Sequence, residues 1–240
     1  MVYFTGDIHG NPNRIVNFAK RMQLTEEDII IILGDVGINY YQDERDQFAK
    51  AELSRIKSAV FCIHGNHECR PEHIGTYELT NWNGGRVWYE EKYPNILFAK
   101  DGDIFFIDGL KYLVVGGAYS IDKFYRLANN MKWFSDEQPS DEIKEYVEHQ
   151  IQNNTIDVVL SHTCPVRYEP IEMFISQVDQ STVDKSTEVW LGNIEECLEY
   201  RAWFCGHYHT DKRIEKMHFL FNSFESTDDI YNIYRGNQND

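Results

Sequence analysis

The stretch IIIILGD, residues 29–35, runs five apolar residues together without a polar interruption and then turns to Gly34 and Asp35. A half-exposed strand would alternate. A continuous β-branched run suits a strand covered on both faces, as in a parallel sheet. Parallel neighbours need helical crossovers, and the flanking sequence supplies them. Val2–Gly6 reads as a strand, Asn11 as a cap and Pro12 as a first helical position. Ile15, Phe18, Ala19 and Met22 then recur at helical spacing to residue 23. On the other side, Ala49, Leu53 and Ile56 mark a helix over 42–57, and Ala59–Ile63 is a third apolar strand. The first 63 residues therefore read β-α-β-α-β, the signature of an α/β fold.

Further along, the texture changes. Between Trp82 and Tyr119, short β-rich runs are separated by Asn-Gly, Asp-Gly and Gly-Gly, which predicts antiparallel hairpins. A helix is expected over 140–153 with Ser140 as its cap, then a strand at Val158–Leu160. Another helix should carry Trp190, Ile194, Cys197 and Leu198, followed by a strand at Ala202–Cys205 and hairpins around 213–224. Residues 163–187 are polar and without clear periodicity, the texture of a lid or recognition loop. There is no internal repeat or interdomain linker, so residues 1–240 are expected to form one domain.

Composition narrows the function. The net charge of −16 argues against binding long duplex nucleic acid, which needs a basic face. It leaves room for a small anionic substrate, because bound cations reverse a local field. Five cysteines, an odd number without a CxxC pair, point to free thiols in a reducing compartment. With no membrane-length apolar run and no basic-then-apolar leader, the expected setting is cytoplasmic, without a membrane partner.

The informative polar residues fall at strand ends. Each apolar strand runs into residues able to hold a metal: Asp7 and His9 after Gly6; Asp35 after Gly34; His64 before Gly65 and Asn66, His67 and Glu68 after it; His162 after Ser161; His207 and His209 after Gly206. In open α/β sheets, ligands lie beyond the carboxyl ends of the strands. A lone Gly-Asp is usually a turn, and a lone histidine is usually structural. Turn chemistry, however, gives no reason for six of nine histidines to stand at strand ends.

Taken in order, GDIHG, GDVG, GNHE, a strand-end His and GHYH resemble the calcineurin-like metallophosphoesterases, across residues 6–209. The resemblance implies a four-layer α/β/β/α sandwich with two mainly mixed β-sheets and a two-metal centre. It implies one ion on Asp7, His9 and His209, a second on Asn66, His162 and His207, and Asp35 bridging them. A donor set of nitrogen and oxygen without thiolate suits Mn²⁺, Fe or Zn²⁺ better than Ca²⁺ or Mg²⁺, with Mn²⁺ favoured. The implied chemistry is hydrolysis of phosphate mono- or diesters by a metal-bridging hydroxide, with two ions clamping the attacking and leaving oxygens. His67 is then the general acid, or else a structural prop beside the ligands. Glu68 either accepts a hydrogen bond from His67 or lies on the surface.

The resemblance has edges. Ser/Thr protein phosphatases carry GDxxDRG at the second motif, where this chain reads GDVGINY. A phosphoprotein substrate is thereby disfavoured against a small phosphate ester or a nucleotide, the latter making the enzyme a nucleotide phosphodiesterase or nuclease. A metal-binding scaffold without turnover would have lost His67 or several ligands, and all are present. Arg70 and Arg167 are candidates to fork a substrate phosphate, or to sit in surface salt bridges. Asn39, Tyr40 and Tyr41 either wall the site or pack. Cys69 and Cys164 read as small filler.

Overall fold

The computed structural model describes residues 1–230. Its first part is β1 (Val2–Thr5), α1 (Asn13–Met22), β2 (Ile29–Ile32), α2 (Glu44–Leu53) and β3 (Ala59–Cys62). The three strands are parallel neighbours in register. The Asn11 side chain accepts from Asn13 N–H at 3.2 Å at the mouth of α1, and Gln23 ends that helix in the left-handed region. At the start of α2, Asp43 caps by accepting from Arg45 N–H. The helix stops at Leu53, short of the expected 57. Asn95 Nδ2 donates to the carbonyls of Leu53 and Ile56, taking up acceptors left at the helix end.

The hairpin-rich middle divides between two sheets. β4 (Glu78–Trp82), β5 (Gly85–Tyr89) and β6 (Ile96–Ala99) form an antiparallel meander. Asn83 and Gly84 turn its first corner, both at positive φ as a two-residue hairpin loop requires. β6 then joins β3 in parallel. After a turn at 101–103 the chain enters a second sheet with the hairpin β7 (Ile104–Ile107) and β8 (Leu110–Val115). There follow α3 (Lys123–Ala128), which periodicity did not indicate, and α4 (Asp141–Asn153), capped by Ser140. Next come β9 (Val158–Ser161), α5 (Ser186–Cys197), β10 (Ala202–Cys205), β11 (Lys212–Ile214) and β12 (Met217–Phe219). Finally β13 (Glu225–Ser226) returns to pair with β1.

Both sheets are mixed. Their strand orders are β13-β1-β2-β3-β6-β5-β4 and β11-β12-β10-β9-β8-β7. Alternation along each strand explains the apolar runs. Ile31 and Phe61 from the first sheet meet Tyr112, Leu160 and Phe204 from the second in a central core. Ile30, Ile32 and Val60 face the other way, against Ile15 and Phe18 of α1 and Ala49 and Leu53 of α2. Leu113, Val159 and Trp203 face α4 and α5 through Val147, Trp190 and Ile194. Helices thus cover the outer faces of the inner strands, β1 to β3 and β8 to β10, which have no solvent side to make polar. No helix among the described residues is long and apolar enough to cross a membrane.

The two sheets meet closely at the rings of Phe4 and Phe204, stacked with centroids 4.1 Å apart. Phe204→Ala should destabilise the fold by about 3–5 kcal/mol, read as a lower denaturant midpoint at unchanged slope. Phe106→Ala, on a side chain 60% exposed, should move the midpoint far less.

Candidate metal centre

The carboxyl ends of β1, β2, β3, β8, β9 and β10 open at one edge of the molecule, and backbone hydrogen bonds tie them together. Gly117 N–H donates to His64 O at 2.8 Å, joining the end of β8 to the end of β3 across the two sheets. Gly206 N–H donates to His162 O at 3.0 Å, and His9 N–H to Asp35 O at 2.9 Å. The chain turns sharply at each end. His9, Asp35, His207 and His209 all hold positive φ, between 45° and 67°. Positive φ is uncommon for non-glycine residues, and four of the ten among the described residues stand here. At four ends only glycine fits: a Cβ on Gly6 would strike the Leu220 carbonyl, and one on Gly34 the His162 ring. A Cβ on Gly65 would collide with the Asp35 backbone and carboxylate, and one on Gly206 with the Asp7 carboxylate.

Asp7, His9 and His209 form one group, with all three ligand atoms within 4.8 Å of one another. His9 Nε2 and His209 Nε2 are 2.9 Å apart, and His209 Nε2 lies 3.3 Å from Asp7 Oδ2. Asp7 Oδ1 accepts from His207 N–H, while Oδ2 is buried without a hydrogen-bond partner. Asp35 stands beside this group, with Oδ2 3.9 Å from His9 Nδ1 and Oδ1 accepting from His67 N–H at 2.8 Å.

On the far side of Asp35 lie Asn66, His162 and His207. His162 Nδ1–H donates to Leu33 O at 2.8 Å, which leaves Nε2 as a lone pair facing inward. That lone pair is 2.9 Å from Asn66 Oδ1 and 3.5 Å from Asp35 Oδ1. Asn66 Nδ2 donates outward to Ser120 Oγ, so its carbonyl oxygen also faces inward, 3.1 Å from His207 Nδ1. Acceptor atoms therefore crowd together with too few protons between them. A divalent cation on each side of Asp35 fits that donor set and would supply the missing partner of Asp7 Oδ2.

The electrostatics agree. Burial alone would push the Asp35 carboxyl up, but the imidazoles of His162, His67 and His9 outweigh it and hold it well below the usual range. Burial, with His162 nearby, lowers His207 to about 3, so its ring is neutral and able to ligate. The Asp7 carboxylate close beside it raises His209.

His67 belongs to this constellation as well. It lies within a ligand-sized cluster with His9 and Asp35. Its ring also meets a residue that sequence reasoning missed. Arg126, on α3 and buried, places Nη2 2.8 Å from His67 Nε2 and against Nδ1. Asp122 holds the Arg126 Nε at 2.8 Å. Burial first, and Arg126 in addition, lower the His67 pKa against the pull of Asp35. The sequence cue was partial: Gly116 and Gly117 follow an apolar strand as at the other ends, but no metal-binding side chain comes directly after them.

Other expectations need correcting. Glu68 neither accepts from His67 nor lies on the surface. It is fully buried and accepts from Val36, Gly37 and Gly65 N–H, bracing the loops beneath the ligands. Burial and the Asp35 charge raise its carboxyl to about 8 against those three bonds. Arg70 does not line the cleft over the ligands. It is buried in an ion pair with Asp101 at 2.7 Å, and its Nε donates to Asp136 O. Arg167, also outside the cleft, pairs with Glu195 at 2.6 Å. Asn39 and Tyr40 pack rather than wall the site, Asn39 accepting from Tyr77 OH and Tyr40 OH donating to Lys132 O. Cys69 and Cys164 are buried and free. The 163–187 segment supplies much of one wall of the cleft, including Phe174, Ile175 and Lys185.

A family model described as calcineurin-like phosphoesterase matches residues 1–211. Among solved structures, the fold is similar to that of the TT1561 protein of Thermus thermophilus. That protein is 12% identical, with 92% of this chain and 87% of that chain covered and a TM-score of 0.52. PptH, a phosphopantetheinyl hydrolase of Mycobacterium tuberculosis, is 13% identical over 92% of this chain and 87% of its own, with a TM-score of 0.45. No curated protein sequence matches the chain. With the motif-bearing strand ends gathered at one edge and most of its length matched, the chain belongs to the calcineurin-like phosphoesterase family.

Proposed function

We propose that this protein is a binuclear metal-dependent hydrolase of phosphate mono- or diesters, acting on a small phosphate ester or a nucleotide. One observation carries the reading: Asp35 stands between two groups of inward-facing acceptor atoms. Asp7, His9 and His209 would hold one ion, Asn66, His162 and His207 the other, and Asp35 both. Bound there, a pair of divalent ions supplies Lewis acidity towards phosphoryl oxygens and acidifies water. Mn²⁺, Fe and Zn²⁺ suit the donor set, Mn²⁺ first. Free cysteines support a reducing, cytoplasmic setting.

The chain's own residues do the rest. The Leu33 carbonyl fixes the His162 tautomer, and Ser120 fixes the Asn66 amide, so both present lone pairs before any ligand arrives. Such preorganisation removes a reorganisation cost from the reaction. His67 gives a proton to the departing alkoxide. Arg126 puts its guanidinium beside it, where leaving-group charge develops.

Asp35→Asn should lower metal content below two ions per chain and abolish ester hydrolysis; two retained ions with full activity would refute the bridging role. Metal content is read by elemental analysis of reconstituted protein. His67→Gln should keep both ions yet slow esters of poor leaving groups by about 10²–10⁴-fold, with a smaller loss on 4-nitrophenyl esters. Equal slowing across leaving groups would remove His67 from the acid role.

A further inference from the structure

The cleft above the ligands encloses about 350 Å³. Its floor carries His9, Asp35, His67 and His207, but its walls have a different chemistry. Tyr119 and Ile121 come from the segment after β8; Met173, Phe174, Ile175 and Val183 come from the segment before α5. Ile121 is 40% exposed, Met173 43% and Ile175 51%. Large apolar side chains left open to water around a polar floor gain free energy when a ligand covers them.

Charge on the walls points the same way. Among the described residues lining the cleft, Lys185 is the one lysine or arginine, and it is tied to Glu169 at 2.7 Å. Asp122 and Glu188 add two more carboxylates. A second phosphate would find no free cation: Lys185 is held by Glu169, and Arg126, buried behind His67, is held by Asp122. Glu188 carries a further signal. It is 4% exposed; Oε1 accepts from Thr163 Oγ1 at 2.7 Å, while Oε2 is buried with no hydrogen-bond partner. A buried acceptor left unmatched is costly, and a ligand N–H or O–H would satisfy it.

We propose that the alcohol portion of the substrate is an apolar arm, aliphatic or aromatic, with one hydrogen-bond donor for Glu188 and no second phosphate. The arm lies along Phe174, Ile175 and Ile121, and the phosphate sits on the floor. This assignment rests on the reading of the floor as the phosphate site. It disfavours nucleoside polyphosphates and nucleic acid, whose further phosphates would meet apolar walls and no free cation.

Phosphonates, which are not hydrolysed, test the arm without turnover. Mn²⁺-loaded protein is titrated calorimetrically with ethylphosphonate, n-hexylphosphonate and 6-hydroxyhexylphosphonate. Each buried methylene is worth about fourfold in affinity, so the hexyl compound should bind at least about tenfold more tightly than the ethyl. Phe174→Ala combined with Ile175→Ser should collapse that ratio. The terminal hydroxyl should tighten binding further in the native protein and lose that advantage in Glu188→Leu. Equal affinity for the ethyl and hexyl compounds, or binding of neither, overturns the arm. A hydroxyl that gains nothing overturns the Glu188 contact. Equal affinities with normal ester turnover would leave the hydrolase standing without its arm. Tight hexylphosphonate binding with no turnover of any ester would leave the arm and overturn the hydrolase.

Discussion

The organising constraint is the gathering of acceptor atoms that repel one another. Asp7, Asp35, Asn66 and four imidazoles converge at one edge, with protons tied up outside the cluster or absent. Left alone, such a group would spread apart or take up water. It is held because each member stands at the end of a strand whose both faces are buried. The apolar layers resist the separation, and the left-handed backbone at His9, Asp35, His207 and His209 is sustained by that packing.

The two sheets contribute unequally. The first supplies Asp7, His9, Asp35 and Asn66; the second supplies His162, His207 and His209. Neither sheet alone presents a complete set for either of the proposed ions. The sheets' relative placement is set by the central aromatic core and pinned by the Gly117–His64 backbone bond and by His162 Nδ1–H donating to the Leu33 carbonyl. Glu68 serves the same end from below. By accepting three N–H groups from two loops it couples the Asp35 turn to the Asn66 turn. Its conspicuous place in a GNHE motif reflects loop bracing rather than contact with a reacting atom.

Above the floor, two segments without sheet partners build the walls. The one after β8 brings Ser120 and Arg126 to the ligands and Tyr119 and Ile121 to the cleft. The one before α5 brings the opposite apolar face. Floor and walls thus separate two tasks, one of charge and one of shape. On the proposed reading, the strand ends hold a phosphoryl group while the walls choose what is attached to it.

The strands of the inner layers were legible because burial on both faces leaves an unbroken apolar signature, as in residues 29–33. The candidate ligands were legible for a related reason: glycine and then a metal-binding side chain recur at strand ends, where a βα turn must leave the sheet. Local pattern was therefore enough for the layered α/β class, the residue types at the site and the side of the sheet on which they lie. It was not enough to say which hairpin joins which sheet, since β6 and β7 differ little locally and are separated by tertiary pairing. It hid α3, whose Phe124, Tyr125 and Leu127 face water and show no buried period. Long-range packing consumed Arg70 in its pair with Asp101, made Glu68 a brace and set Arg126 beside His67. The partners in those three contacts lie 31, 32 and 59 positions apart in the chain, beyond the reach of any local periodicity. Sequence pattern specifies what a side chain is able to do, but the packing of distant segments settles which partner reaches it first.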